Sequence, residues 1–202
     1  MIVLPTLDRK TRRHSATRDE ILTAAWDLAR TEGLAGIAMR DLAARVGMRS
    51  PSLYTYFTSK HAIYDAMFAQ GWRAYLDRMT ALGKLPRNPR QALRRLLRQW
   101  AQFFLEDPER FVLLCQRTIP RFEPSPESFA VSLEAADHAR DVLAGLGITD
   151  EKALDVLFVL TTGLISQQIA NEPGGDGWTR LIDDVVDMYL GHCMPAQEGR
   201  GR

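Results

Sequence analysis

Cysteine is scarce in this 202-residue chain: there are two, Cys115 and Cys193. They lie far apart and fit no metal-ligand spacing. So few cysteines point to a reducing compartment, with free thiols packed as small apolar groups. The four histidines (His14, His61, His138 and His192) are scattered and equally lack a metal spacing. No glycine-rich phosphate loop precedes a lysine, and Gly174-Gly175 has no strand and helix flanking it. No nucleophilic triad can be argued from the order of residues. An enzyme, a cofactor and a metal centre are therefore not expected. No run of about 18 uncharged apolar residues occurs, so no membrane span is expected. Met1–Leu7 is apolar but too short for a leader core, and its charges follow it rather than precede it. The expected location is the cytoplasm. Strand-like alternation with turn pairs is also missing.

What is present reads as helix after helix, with leucine and alanine at the apolar positions. At 46% hydrophobic residues the chain can build a packed core. The net charge is only +1, but it is unevenly placed. Residues 1–60 hold ten basic and six acidic side chains, residues 61–202 sixteen and nineteen. A basic head on an acidic body suits a polyanionic partner at the head. Residues 1–16 read as a basic flexible arm. The first helix is expected to open at a capping box, Thr17 with Glu20, and to end at Gly33. Four helix starts share a capping residue followed by proline: Ser50-Pro51, Asn88-Pro89, Asp107-Pro108 and Ser125-Pro126. Proline is tolerated there because that amide has no intrahelical partner. Thr58 or Ser59 opens a long helix, Thr149 caps another, and Glu172–Gly177 breaks the chain before a last helix, Trp178–Leu190. The expectation is an all-α protein of about nine helices.

Met39–Tyr56, MRDLAARVGMRSPSLYTY, is the informative stretch. A short helix, Met39–Arg45, turns Leu42 and Ala43 inward. Gly47 sits where a tight turn needs positive φ. A second short helix begins at Ser50-Pro51 and packs Leu53 and Phe57 inward. This leaves Ser50, Ser52, Thr55 and Tyr56 outward, with Arg49 just ahead. The first residues of such a helix meet base edges when it enters a major groove. Tyr54, Tyr56 and Lys60 are placed to reach flanking phosphates. Taken alone, the pattern also fits a plain helical hairpin.

Arg40-Asp41-Leu42-Ala43, Val46-Gly47 and Leu53-Tyr54-x-Tyr56-Phe57-x-x-Lys60 narrow the choice. Through them, residues 17–68 resemble the DNA-binding domain of the tetracycline-repressor (TetR/AcrR) family of bacterial regulators. The resemblance implies DNA contacts at Met39, Arg40, Ser50, Pro51, Ser52, Tyr54, Thr55, Tyr56 and Lys60; Arg49 is added from its own position. One departure stands out. The family usually places Thr or Ser at the position of Ala38, as a cap that also touches phosphate, and alanine does neither. Arg9, Lys10, Arg12, Arg13 and Arg18 offer a compensating contact to the backbone or minor groove.

The resemblance also implies a helix-turn-helix domain over 17–62 and a ligand-sensing, dimerising helical domain over 63–194, followed by a disordered tail, 195–202. The helix Asp150–Ala170 is apolar on more than one face and needs burial on two sides. With the last helix it makes half of a dimeric four-helix bundle, the interface falling on Leu157, Leu164, Gln168, Leu181, Val185 and Tyr189. Candidate ligand contacts are Trp100, Phe103, Phe104, Phe122 and Ile165 with the polar Arg117, Thr118, His138, Thr161 and Thr162. Aromatic residues at this spacing are more often core than pocket. The expected partners are double-stranded DNA bearing a palindromic operator, a second copy of the chain and an unidentified small apolar or amphipathic effector, with no membrane. The reading is a repressor released by its ligand. A constitutive or architectural DNA binder, or a regulator controlled by a protein partner, stays open beside it.

Overall fold

The computed structural model describes residues 9–193, all helix and connecting turns, with no strand among them. The helices are α1 (Arg9–Gly36), α2 (Met39–Arg45), α3 (Ser50–Leu53), α4 (Lys60–Ala81), α5 (Pro89–Leu105), α6 (Pro108–Cys115), α7 (Pro126–Gly145), α8 (Ala153–Asn171) and α9 (Ile182–Cys193). A 3-10 turn, Thr179–Leu181, leads into α9.

Helix starts follow local chemistry, with corrections. The Ser59 side chain caps α4 by accepting from the Ala62 amide at 3.1 Å. Asn88 and Ser125 cap α5 and α7 by accepting the amides three residues on. Ser50 lies inside α3 and Arg49 takes the cap position, without a side-chain bond. Asp107 precedes α6 but makes no cap bond, because its carboxylate is held by arginines. Thr149 does not cap α8: Asp150 Oδ1 accepts the Lys152 amide instead, and the helix starts at Ala153. The largest shift is at the other end. Helix α1 begins at Arg9, so Arg9–Ala16 is helical rather than a flexible arm, and Thr17 is no cap. The first eight residues and the expected tail, 195–202, lie outside the described residues. Gly33, at φ +73°, breaks α1 as expected, and one further turn follows it.

Two clusters of buried side chains divide the molecule. The head cluster joins Ile21, Trp26 and Leu28 of α1, Leu42 of α2, Leu53 of α3 and Ile63, Tyr64 and Met67 of α4. The body cluster takes Phe68, Trp72, Tyr75 and Met79 of the same α4, with α5 to α9 around them. Spacings of three and four along α4 keep one stripe inward throughout. Its packing therefore changes hands between Met67 and Phe68, five residues beyond the expected edge of the head at 62. Leu113 of α6 also enters the head cluster. Gly71 lets α6 come close, since a Cβ there would stand 2.9 Å from Leu114 Cδ1.

Polar ties fix these helices. The Asp65 carboxylate on α4 accepts from the Ser125 amide (2.6 Å) and from the Ser125 and Ser128 hydroxyls (2.9 and 2.8 Å), at the α7 N-terminus where the helix field favours an anion. The buried Tyr64 hydroxyl donates to the Leu34 carbonyl at 2.5 Å. Burial pushes the Tyr64 phenol up to about 12. An unfolded tyrosine titrates near about 10. The neutral phenol therefore contributes its full stability below that value, and the contribution is lost as pH rises through the folded value. Urea melts at pH 9 and pH 11 should show this alkaline loss, and Tyr64→Phe should reduce it while costing about 1 kcal/mol at neutral pH for the lost hydrogen bond.

Helix α8 is long and apolar enough to cross a membrane by length and composition, although it carries Asp155. It packs against α5, α7 and α9, and 22% of its apolar window is buried within the chain.

Candidate nucleic-acid interface and inner cavity

Helices α2 and α3 form a bent pair around Gly47, whose φ of +66° supplies the turn. Leu42, Ala43 and Leu53 are fully buried, so the opposite face is fixed outward. Arg40, Arg49, Pro51, Ser52, Tyr54 and Thr55 are exposed on it, and Ser50 is half-buried. Among the described residues, Asp41, at 3.4 Å, alone engages the Arg40 side chain. The Thr55 hydroxyl donates to the Ser52 carbonyl at 2.7 Å, which leaves its oxygen lone pairs outward. This face carries small hydroxyls flanked by two arginines, a pattern suited to close approach to base edges and phosphates.

Three of the residues expected at DNA are also committed inside the protein. Lys60 Nζ donates to the Ala35 carbonyl at 2.7 Å and lies over the Tyr64 ring, so it closes the end of α1; desolvation lowers its pKa. Tyr56 is half-buried, stacks on His14 with ring centroids 4.7 Å apart, and accepts Arg18 Nη1 at its carbonyl at 2.6 Å. Met39 is half-buried against the head core. Arg18 also lies over the Phe57 ring at 4.2 Å, so it clamps α1 to the end of the motif rather than reaching out. His14 and Arg18 tie α1 to the motif, and Arg9, Lys10, Arg12 and Arg13 stand exposed on the earlier turns of the same helix. Arg45, exposed at the end of α2, is a further cation that the sequence reading passed over. Its position beside the turn was the available signal.

Ala38 has the extended backbone of a cap residue (φ −112°, ψ 137°) and makes no side-chain cap bond. Ala38→Ser should raise the unfolding midpoint by the equivalent of about 1 kcal/mol. It should also tighten DNA binding. Thermal melts and DNA titration of the variant check both.

In the body, Tyr75 and Met79 of α4, Leu96, Leu97 and Trp100 of α5, His138, Val142 and Leu143 of α7 and Leu154, Leu157, Phe158 and Thr161 of α8 line a partly open cavity of about 80 Å3. Of the candidate ligand contacts, Trp100, His138 and Thr161 line this cavity. The other expected ligand contacts do not. Phe103, Phe104 and Ile165 are buried in the body core. Arg117 is exposed and pairs with Glu123 at 3.2 Å, and Thr118 is exposed. Phe122 packs edge-on against Tyr64 and lines a separate hollow beside α6. The Thr162 hydroxyl donates to the Phe158 carbonyl of its own helix at 2.6 Å. The cavity's aliphatic walls carry no signal in the sequence, because their spacing is that of any helix core.

The residues expected at the dimer interface also separate. Tyr189 is 1% exposed and donates to the Ala153 carbonyl at 3.0 Å. Gln168 is 1% exposed, its side-chain Oε1 accepting the Trp178 and Thr179 amides. Leu164 is buried, and Leu157 lines the cavity. These four serve the chain's own interior. Leu181 is exposed, Val185 is half-buried, and the apolar surface left outward on α8 and α9 is Phe158, Val159 and Met188.

Residues 21–67 match the family model described as bacterial regulatory proteins, tetR family. The chain is 26% identical over 157 residues to the tetracycline repressor class A from transposon 1721 of Escherichia coli, covering 75% of this chain and 67% of that protein. A tetR-family transcriptional regulator from Streptomyces coelicolor has a similar solved structure: TM-score 0.69, 19% identity, 88% of this chain and 80% of that one. The regulator FadR from Bacillus subtilis, solved in complex with stearoyl-CoA, superposes with a TM-score of 0.66 at 16% identity, over 85% of this chain and 97% of that one. The matched segment is the one that carries the exposed α2–α3 face: residues 21–67 are a DNA-binding domain of the tetR family of bacterial regulatory proteins, and the chain is similar over three quarters of its length to a tetracycline repressor.

Proposed function

We propose that the chain is a homodimeric repressor that leaves a palindromic operator when a small apolar or amphipathic ligand fills the body. The observation that carries this reading is the position of the cavity on α4. Tyr75 and Met79 of α4 form its wall, while Ile63, Tyr64 and Met67 of the same helix build the head core. A ligand that moves the C-terminal half of α4 therefore moves the head with it. The ligand acts only through its different affinity for the two arrangements, a coupling of typically about 1–3 kcal/mol. FadR, which holds stearoyl-CoA on the same fold, supports a ligand-holding body here.

The second copy docks on α8 and α9. Val159 of α8 is 68% exposed and Met188 of α9 62%, large apolar side chains left outward. A two-fold pairing sets the recognition helices about 34–36 Å apart, one turn of DNA. A cytoplasmic site of action follows from such a partner. Operator fragments selected from random duplexes, then titrated against salt, test the reading. Inverted half-sites and a steep loss of affinity with salt are expected. A chain that is monomeric by sedimentation, or that binds DNA indifferently to salt, would contradict it.

A further inference from the structure

A protein that selects one DNA sequence needs side chains that tell base pairs apart in the major groove. Arginine or lysine makes a two-bond contact to O6 and N7 of guanine, asparagine or glutamine to adenine, and a carboxylate accepts from cytosine. The segment 39–60 contains no asparagine, glutamine or glutamate, and its single aspartate is Asp41. Asp41 is paired with Arg40 at 3.4 Å. Each hydroxyl on the α2–α3 face offers one donor, and that of Thr55 is spent on the Ser52 carbonyl at 2.7 Å. Two-bond contacts are therefore left to the cations.

The segment holds four cations: Arg40, Arg45, Arg49 and Lys60. Lys60 is committed to the Ala35 carbonyl. Arg40 and Arg45 stand at the two ends of α2. In a motif of this kind the first helix crosses the DNA backbone, and the first residues of the second meet base edges. Arg49 stands immediately ahead of α3, the second helix, and is exposed. Among the described residues its side chain makes no ion pair, whereas that of Arg40 is held by Asp41. Its backbone, by contrast, is fixed. The Arg49 carbonyl accepts the Ser52 amide at 2.9 Å and the Leu53 amide at 3.3 Å, and Leu53 is fully buried. The Met48 amide donates to the Ala43 carbonyl at 2.8 Å and holds the turn just before it. An uncommitted guanidinium is thus carried on a rigid base, beside the small residues Ser50, Pro51 and Ser52 that allow close approach.

We propose that Arg49 reads a guanine in each operator half-site, its guanidinium donating to O6 and N7, while Arg40 and Arg45 hold phosphates. This rests on the operator-binding reading and adds the base on which a half-site depends. The same inventory leaves no two-bond contact for adenine, so one guanine per half-site should be the strongest single preference.

Selection of random duplexes by the full chain, repeated with Arg49→Ala and Arg45→Ala at the same salt, tests it. The unaltered chain should enrich one guanine in each half-site. Arg49→Ala should accept any base at that position, keep the other preferences, and bind the selected duplex about ten- to a hundredfold more weakly. Arg45→Ala should keep the guanine, weaken binding to all duplexes alike and lower the salt slope by about one. Both side chains are exposed, so the variants should melt with the unaltered chain. A duplex carrying 7-deazaguanine at the enriched position lacks the N7 acceptor and needs no variant to fold. The unaltered chain should bind it severalfold more weakly, and Arg49→Ala should not distinguish it from guanine. A guanine preference that survives Arg49→Ala, or is lost with Arg45→Ala instead, would overturn the assignment to Arg49. Inverted half-sites enriched without guanine, or indifference to 7-deazaguanine, would overturn the guanine contact and leave the operator reading standing. Enrichment of no sequence at all would overturn this inference and count against the operator reading as well.

Discussion

Ser52→Asp should lower operator affinity at least about a hundredfold, while the variant melts at or slightly above the temperature of the unaltered chain. Ser52 is exposed at the third position of α3, on the face opposite buried Leu53. A carboxylate there would replace a small donor with a negative charge facing the phosphates. Like-charge juxtaposition at an interface costs several kcal/mol, and a loss of about 3 kcal/mol is the expected size. The fold should tolerate the change, because an acidic side chain in the first turn of a helix is favoured by its dipole. Fluorescence anisotropy with operator DNA and a thermal melt of the same sample read the two effects separately. Unchanged affinity would remove α3 from the DNA interface.

Asp107→Ala should cost about 3 kcal/mol of stability and weaken communication between body and head. Asp107 is 2% exposed at the start of α6. Its Oδ2 accepts from Arg30 Nη2 on α1 at 2.8 Å and is paired with Arg110 Nη2 at 3.2 Å. Arg110 is anchored further by the Phe103 carbonyl and lies over the Phe103 ring at 4.4 Å. Removing the carboxylate strands Arg110, whose pKa burial already lowers. Breaking a buried pair costs about 3–5 kcal/mol when one charge is left uncompensated. The lower end applies here because 44% of the Arg30 side chain is exposed and water takes over part of its loss. Arg30→Ala should therefore cost less, about 1 kcal/mol. Urea melts of both variants rank the two losses. Equal losses would show that the Asp107–Arg110 contact contributes nothing of its own.

On the proposed ligand-release reading, the pair also sits between body and head. Helix α6 packs on α1 and on α4, and Leu113 places it in the head core. With Asp107 gone, the arginine tie from α6 to α1 is lost. Ligand-driven release from the operator should then need more ligand, even where DNA affinity without ligand is little changed.

Much of the head was legible from the chain alone. The helix Met39–Arg45, the positive φ at Gly47, the uncapped start at Ala38 and the Ser59 cap of α4 are local matters. Each depends on residues within one turn, so spacing and residue type determine it. The all-helical class was legible for the same reason. Local reading failed where a side chain's partner is distant in sequence. Arg18 and Lys60 look like free cations along the chain, yet they bond the carbonyls of Tyr56 and Ala35, 38 and 25 residues away. Asp107 looks like a cap and is claimed by Arg30, 77 residues earlier.

The body shows the limit most plainly. Helices α8 and α9 are apolar on more than one face, and periodicity cannot tell the face toward the chain's own core from the face left outward. Packing assigned Leu164, Gln168 and Tyr189 inward and left Val159 and Met188 exposed. The cavity is likewise a product of packing, because it exists only where four helices fail to fill the space between them. By itself, the sequence determined the helical class, the helix-turn-helix and the family resemblance of the head. The tertiary structure alone decided which cations are free, which apolar face is unpartnered and where a ligand has room, because each depends on distances between residues that the chain keeps far apart.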